Sequence, residues 1–338
     1  MNDAAMATRR HILRAAAAAG LAGSAPGLAA AEPPPETRRL RLVKFPSVCQ
    51  AFMFVAEELL RAEGFSDITY VDAGVLGAGP GSVDVLSAGK VDMGAYFAAP
   101  LVIAIDRGAP ISVLGGVHPG CFELFTAPDV RSIKDLKGRT VSVFANESAQ
   151  HVFLASIATS VGLDPVRDIH WVFHPPTQGK QLLSEGKIDG YLGFPPDPQE
   201  LRDKKGGRML LISTVDRPWS QYFCCMVSAN RAWLGAHPIA AKRVMRAILK
   251  GSELCASDPD LGVKAFLAKG FTPNPAYAGQ ALRELPYLRW RNYNPEETLR
   301  FYSLRLREAG MVKHAPHKII AQGTDWRILE QLRREMKT

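Results

Sequence analysis

Six consecutive residues, Asn146-Glu147-Ser148-Ala149-Gln150-His151, gather a carboxylate, a hydroxyl, two amides and an imidazole just where an apolar run of helical spacing begins. A helix start leaves backbone N–H groups free to hold an anion or a ligand oxygen. Asn146 is expected to cap this helix, which runs to about Val161. Glu147 has two readings. It is a first-turn carboxylate favoured by the helix dipole, or it meets an amine or amidine and so selects a neutral or cationic ligand. Ser148 and His151 belong to the same surface, and His151 also reads as an ordinary satisfied histidine.

Other residues of this kind are scattered along the chain. Tyr96-Phe97 offers an aromatic platform for a planar or apolar ligand, with plain core packing as the competing reading. Phe194-Pro195-Pro196-Asp197-Pro198 makes a stiff loop that presents Phe194 and Asp197. Gly115-Gly116-Val117-His118-Pro119-Gly120-Cys121 allows close backbone approach, with His118 as its polar group. Pro46 to Gln50 adds Ser47 and Gln50, and Trp219 and Tyr222 supply a second aromatic pair.

Several sharper chemistries find no support. The glycine-rich stretch Gly74 to Gly81 fits neither a dinucleotide fingerprint nor a phosphate loop. No nucleophile elbow is present. His170 and His174 have no acidic or cysteine partner at metal spacing, and Cys49, Cys121, Cys224, Cys225 and Cys255 match no zinc pattern. Neither a metal, a cofactor nor a catalytic residue is therefore expected. The basic tail residues Arg283, Arg289, Arg291, Arg300, Arg305 and Arg307 alternate with Glu284, Glu296, Glu297 and Glu308, which reads as a solvated ion-paired face rather than a nucleic-acid stripe.

The elements that must position these groups alternate strand and helix. Strands are predicted at 40–45, 68–71, 91–95 and 111–117, with helices at 49–62, 82–89 and 98–107; Ser47 is the expected cap of the first helix. The rhythm restarts near Phe122, with strands at 140–144, 169–173, 188–194 and 209–213 and helices at 146–161, 178–184 and 197–204. A strand at 223–228 comes next, and then helices at 238–256, 259–268, 275–284, 295–309 and 323–336. Repeated βα units argue for mostly parallel sheets, and parallel strands gather a ligand site beyond their carboxyl ends. The candidates named above lie just after predicted strands, except Trp219 and Tyr222, which come just before the strand at 223–228.

The ordered set Leu86-Ser87-Ala88-Gly89-Lys90-Val91-Asp92-Met93-Gly94, Ala109-Pro110-Ile111, Ser132 to Val141 and Leu183-Ser184-Glu185-Gly186-Lys187-Ile188-Asp189-Gly190 resembles one family. It is similar to the periplasmic solute-binding proteins of nitrate/sulfonate/taurine-type ABC importers, whose domain is shared with thiamine-pyrimidine binding and synthesis proteins. The resemblance implies an α/β, type II periplasmic-binding-protein fold: two lobes joined by two crossover strands near 122–126 and 222–227, with a helical C-terminal tail on lobe 1. Lobe 1 is then discontinuous, 38–121 and 223–338, and lobe 2 is 122–222. It implies a small solute in the interlobe cleft and a cognate permease and ATPase as partners, with no catalysis. Family members place a Gly/Ser-rich helix start where this chain has Glu147. The fungal thiamine-pyrimidine synthases carry a cysteine-rich run where this chain has only Phe223-Cys224-Cys225-Met226-Val227. A synthase-like enzyme and a ligand-binding sensor component are the alternatives.

Composition agrees with an exported globular protein. The twin arginine Arg9-Arg10 precedes an alanine-rich run, and Ala29-Ala30-Ala31 suits a signal peptidase. Residues 1–31 read as a twin-arginine signal with cleavage near Ala31. Removing three Arg and one Asp lowers the net charge from +8 to +6. The run is shorter than the about 20 apolar residues of a membrane span. A soluble periplasmic monomer that binds no nucleic acid is expected. Five cysteines are odd in number, so at least one stays unpaired within the chain, and the adjacent Cys224 and Cys225 do not bridge each other.

Overall fold

A computed structural model describes residues 32–73 and 81–336. The twin-arginine segment and most of the glycine-rich stretch lie outside them. The fold described below belongs to the unit that begins at Pro35.

Two five-stranded sheets carry the fold. The first is built from β1 (Arg39–Lys44), β2 (Asp67–Asp72), β3 (Met93–Phe97), β4 (Ile111–Pro119) and β10 (Phe223–Asn230), in the order β2-β1-β3-β10-β4. The second contains β5 (Glu123–Thr126), β6 (Arg139–Val143), β7 (Ile169–Phe173), β8 (Gly190–Gly193) and β9 (Arg208–Ile212), in the order β7-β6-β8-β5-β9. The two orders are the same pattern. In each, three successive strands pair in parallel, and one strand, β10 or β5, enters antiparallel between the third and the last. This is the α/β fold of two lobes that the strand-helix rhythm and the resemblance imply.

The helices arise from the apolar spacing of the sequence. In the first lobe α1 (Ala51–Ala62), α2 (Gly81–Ser87) and α3 (Ala98–Asp106) connect the parallel strands; in the second, α4 (Ala149–Ser160), α5 (Pro176–Ser184) and α6 (Asp197–Asp203) do so. The tail comprises α7 (Arg231–Ala236), α8 (Pro238–Ser257), α9 (Pro259–Ala268), α10 (Pro275–Glu284), α11 (Pro295–Glu308), α12 (Pro316–Gly323) and α13 (Arg327–Glu335). It covers the first sheet: α8 and α9 pack on α1, while α11 packs on α3 and also reaches α4 of the second lobe. Among the described residues no helix is long and apolar enough to cross a membrane.

Local differences from expectation have local causes. Ser47 caps nothing; its Oγ lies 3.0 Å from Cys49 Sγ, and Val48–Gln50 form a 3-10 turn before α1. Asn146 is exposed, and Ser148 is the cap of α4, accepting from the His151 N–H. The unexpected α7 is capped by Asn230, whose Oδ1 accepts from Ala232 and Trp233 N–H. The expected 323–336 helix is α13, which starts later at Arg327, and the unexpected α12 before it opens with Pro316, whose missing N–H costs nothing at a first helical position.

The chain passes between the sheets at 120–122 and 213–222, slightly ahead of the expected positions. The two passages bind each other. Ser213 Oγ accepts from the N–H of Cys121 (3.0 Å) and Phe122 (2.8 Å), and Ser213 N–H donates to Phe122 O. Gly120 turns with φ +62°, and a Cβ there would meet Thr214 backbone at 2.6 Å, so only glycine permits this crossing.

Candidate functional site

Between the lobes lies a cavity of about 390 Å³. Its walls repeat the symmetry of the sheets. Phe45 comes directly after β1 and Phe144 after β6, the equivalent strand; Phe97 ends β3 and Phe194 comes after its counterpart β8. The carboxyl ends of parallel strands thus deliver four phenylalanines from two lobes to one space. Pro46, Pro175, Pro176 and Pro196 stiffen the rim, and Ser47 and Asp197 are the polar lining groups. No Lys, Arg or His is among the described residues that line it.

Asp197 is the charged group of this lining, and it is already partnered. Lys180 Nζ lies 2.7 Å from Oδ1, and Tyr191 Oη–H donates to Oδ2 at 2.9 Å. Burial pushes the Asp197 carboxyl up, and the Lys180 ammonium opposes this. Lys180 also pairs with Glu200, so the carboxylate sits in a compensated cluster rather than as a bare anion.

The sequence candidates divide. Ser47, Phe97, Phe194 and Asp197 come together around the cavity. Gln50, Tyr96 and His118 are buried behind it, at 1%, 1% and 0% exposure. Tyr96 packs edge-on against Phe45 in the first-lobe core instead of forming a platform. Trp219 and Tyr222 belong to an aromatic column along the hinge. In it Phe122 stacks on Phe153 (4.9 Å), Trp219 meets both Phe153 and Phe301 at 5.3 Å, and Tyr222 stacks on Phe301 at 3.9 Å.

The helix-start group lies to one side. Glu147 adopts φ +54° and lines a separate groove with Arg107, whose guanidinium forks onto its carboxylate. Its N–H donates to His151 Nδ1 at 3.0 Å. His151 stands edge-on to Trp171, 4.6 Å between centroids, and burial pushes its pKa down to about 4 against the pull of Glu147. A neutral imidazole accepting a backbone hydrogen bond orders this turn. Phe45 and Phe144 carry no local mark in the sequence, because each is one more aromatic at the end of an apolar strand. The signal available was their shared place, directly after the first strand of each repeat.

The family described as "NMT1/THI5 like" matches residues 75–261, more than half of the chain. Among curated proteins, the bicarbonate transport ATP-binding protein CmpC of Synechocystis sp. (strain ATCC 27184 / PCC 6803 / Kazusa) is 27% identical over 140 residues, 40% of this chain; the match spans about a fifth of CmpC, 20% of its length. Among solved structures, the periplasmic nitrate-binding protein NrtA from Synechocystis PCC 6803 is similar with a TM-score of 0.72 at 14% identity, covering 90% of each chain. The alkanesulfonate-binding protein SsuA from Xanthomonas axonopodis pv. citri, bound to MOPS, gives a TM-score of 0.66 at 19% identity over 88% of this chain and 100% of SsuA. At these identities the likeness carries the fold.

Proposed function

Because the chain belongs to the NMT1/THI5-like family, we propose that it is the extracytoplasmic solute receptor of an ABC importer and that it closes on a neutral or cationic, planar organic solute such as a nitrogenous heterocycle. The carrying observation is the cavity itself: four phenylalanines converge with one compensated carboxylate and no described cationic lining residue. A nitrate or sulfonate needs fixed positive charge or several aligned N–H donors in a desolvated site. An aromatic ring instead gains by stacking and apolar burial, and a ring nitrogen or amine finds Asp197 and Ser47.

The remaining parts of this reading rest on the same frame. Lobe 1 comprises 38–121 and 223–338 and lobe 2 comprises 122–222, with closure about the passages at 120–122 and 213–222. Export proceeds through the twin-arginine segment with cleavage near Ala31 into the periplasm. The monomer then delivers its solute to a cognate permease and ATPase. Relatives named for binding nitrate and alkanesulfonate, and for bicarbonate transport, support the transport class.

The test is a thermal-shift and calorimetry screen against pyrimidines and other heterocyclic amines, nitrate, taurine and alkanesulfonates. A ligand at 100 times its Kd stabilises by about 2.7 kcal/mol, and the expected hits are heterocycles. Stabilisation by nitrate or taurine alone would overturn the ligand class. A compound consumed by the protein rather than bound would overturn the receptor.

A further inference from the structure

Four of the five cysteines, from three separate segments, converge beneath the cleft. Cys49 lies in the turn after β1, Cys121 just past β4, and Cys224 and Cys225 near the start of β10; all are buried. Cys121 Sγ and Cys224 Sγ are 2.7 Å apart, and Cys49 Sγ and Cys225 Sγ lie within 4.8 Å of each other. Register irregularities of β10 against β4 on either side of Cys225 break the usual alternation, so that adjacent cysteines both reach the cluster. Ser47, which lines the cavity, touches Cys49 from above.

His118 gives the cluster its chemistry. Ligand atoms of Cys49, His118 and Cys225 all lie within 4.8 Å of one another. His118 Nδ1 faces Gly120 O at 3.1 Å, which puts the ring proton on Nδ1 and leaves Nε2 a bare lone pair. That Nε2 is fully buried and has no hydrogen-bond partner in the structure. A buried thiol alone behaves as a small apolar group, but an unpartnered imidazole nitrogen in a core loses its hydration with nothing in return. A histidine that donates one N–H to a backbone carbonyl while the other nitrogen faces thiols has the outer-sphere arrangement of a metal ligand. Phe52 and Tyr287 stand edge-on to the ring, at 6.2 and 5.2 Å, and Tyr287 Oη–H donates to Cys49 O.

We propose that Cys49, His118 and Cys225 bind a thiophilic ion, zinc or cuprous copper, and that one thiol of the Cys121–Cys224 pair shifts toward them to complete a tetrahedral set. Three thiol protons leave to solvent on ligation, and the sulfurs stay at the thiolate oxidation level. The ion ties the turn after β1 to the end of β4 and the start of β10, the two strands that adjoin the hinge passages. It does not depend on which solute enters the cleft.

The experiment uses the full chain purified under oxygen-free, reducing conditions, stripped with a chelator and titrated with Co²⁺. One equivalent should produce thiolate-to-cobalt charge transfer and the visible bands of tetrahedral cobalt, and Zn²⁺ should bleach them. Zinc should also protect Cys49 and Cys225 from alkylation while leaving Cys255 unchanged, a readout that needs no variant; a cuprous titration monitored in the same way separates the two ions. Cys49→Ser and Cys225→Ser, checked for folding by circular dichroism, should lower affinity by at least 10-fold, whereas Cys255→Ser should retain it. Absence of charge transfer with all thiols reduced would overturn the proposal. So would unchanged titration in folded Cys49→Ser and Cys225→Ser, or a Cys121–Cys224 disulfide in protein that binds no cobalt after reduction.

Discussion

Arg107 forks onto Glu147, with Nη2 3.0 Å from Oε1 and Nη1 3.3 Å from Oε2, and so joins the end of α3 in the first lobe to the start of α4 in the second. The carboxylate for which the sequence leaves both a helix-start and a ligand reading is held by a partner 40 residues away in the chain. Its side chain is 35% exposed and that of Arg107 55%, so the pair is worth at most about 1 kcal/mol. Glu147→Gln should barely move the melting temperature and should weaken solute binding a few-fold at low salt, with the difference fading as salt screens the pair. Calorimetry at two ionic strengths checks this. A salt-independent loss of all binding would mean that Glu147 touches the solute.

The phenylalanine walls make a different prediction. Phe144 is only half-buried in the open cavity, so its truncation should cost folding little and binding more. Phe144→Ala is expected to weaken solute affinity by about 5- to 30-fold, the equivalent of 1–2 kcal/mol of apolar contact. Parallel melting curves and binding isotherms separate the two effects.

His151 should leave a mark on acid stability. Its folded pKa, about 4, lies below the ordinary value of 6.5. The unfolded chain therefore binds a proton between these limits that the native chain refuses, and stability falls as pH drops from about 6.5 to 4. His151→Asn keeps an acceptor for the Glu147 N–H and removes the titration. Denaturant unfolding across this range should show a flatter acid limb for the variant.

Glu123 works in the opposite sense. It is 6% exposed on β5, its Oε2 has no hydrogen-bond partner, and Arg202 Nε stands 3.6 Å away. Burial pushes its pKa up to about 7, with Arg202 opposing. The native state then holds a proton that the unfolded chain has released, and this contribution is lost as pH rises from about 4.5 through 7. Glu123→Gln should raise stability above pH 8 by about 2 kcal/mol and change little at pH 4.5. Equal effects at both pH values would refute the assignment.

Gly251 tests the packing under the site. A Cβ on this α8 residue would sit 2.6 Å from Phe52 O and 3.1 Å from Ala56 on α1. The helix-propensity gain of Ala over Gly is about 1 kcal/mol, whereas separating two packed helices costs about 1–3. Gly251→Ala should therefore lower stability on balance, by an amount that chemical denaturation can measure.

By itself the sequence determined most of the order of strands and helices, though not α7 or α12, the restart of the pattern near Phe122 and the collection of candidates beyond strand ends. Those features rest on periodicity and turn chemistry, which act over a few residues. Ser47, Phe97, Phe194 and Asp197 could be named in advance because a place after a strand is itself local information. The tertiary structure alone decided which groups meet. It turned Glu147 toward Arg107, sank Tyr96 and His118 into the core and matched Phe45 with Phe144 across the cleft. It also brought Cys121 to Cys224 over 103 residues, where linear spacing held no metal pattern at all. A contact between distant segments is fixed by how two sheets and their crossings pack, and no window of sequence contains both partners.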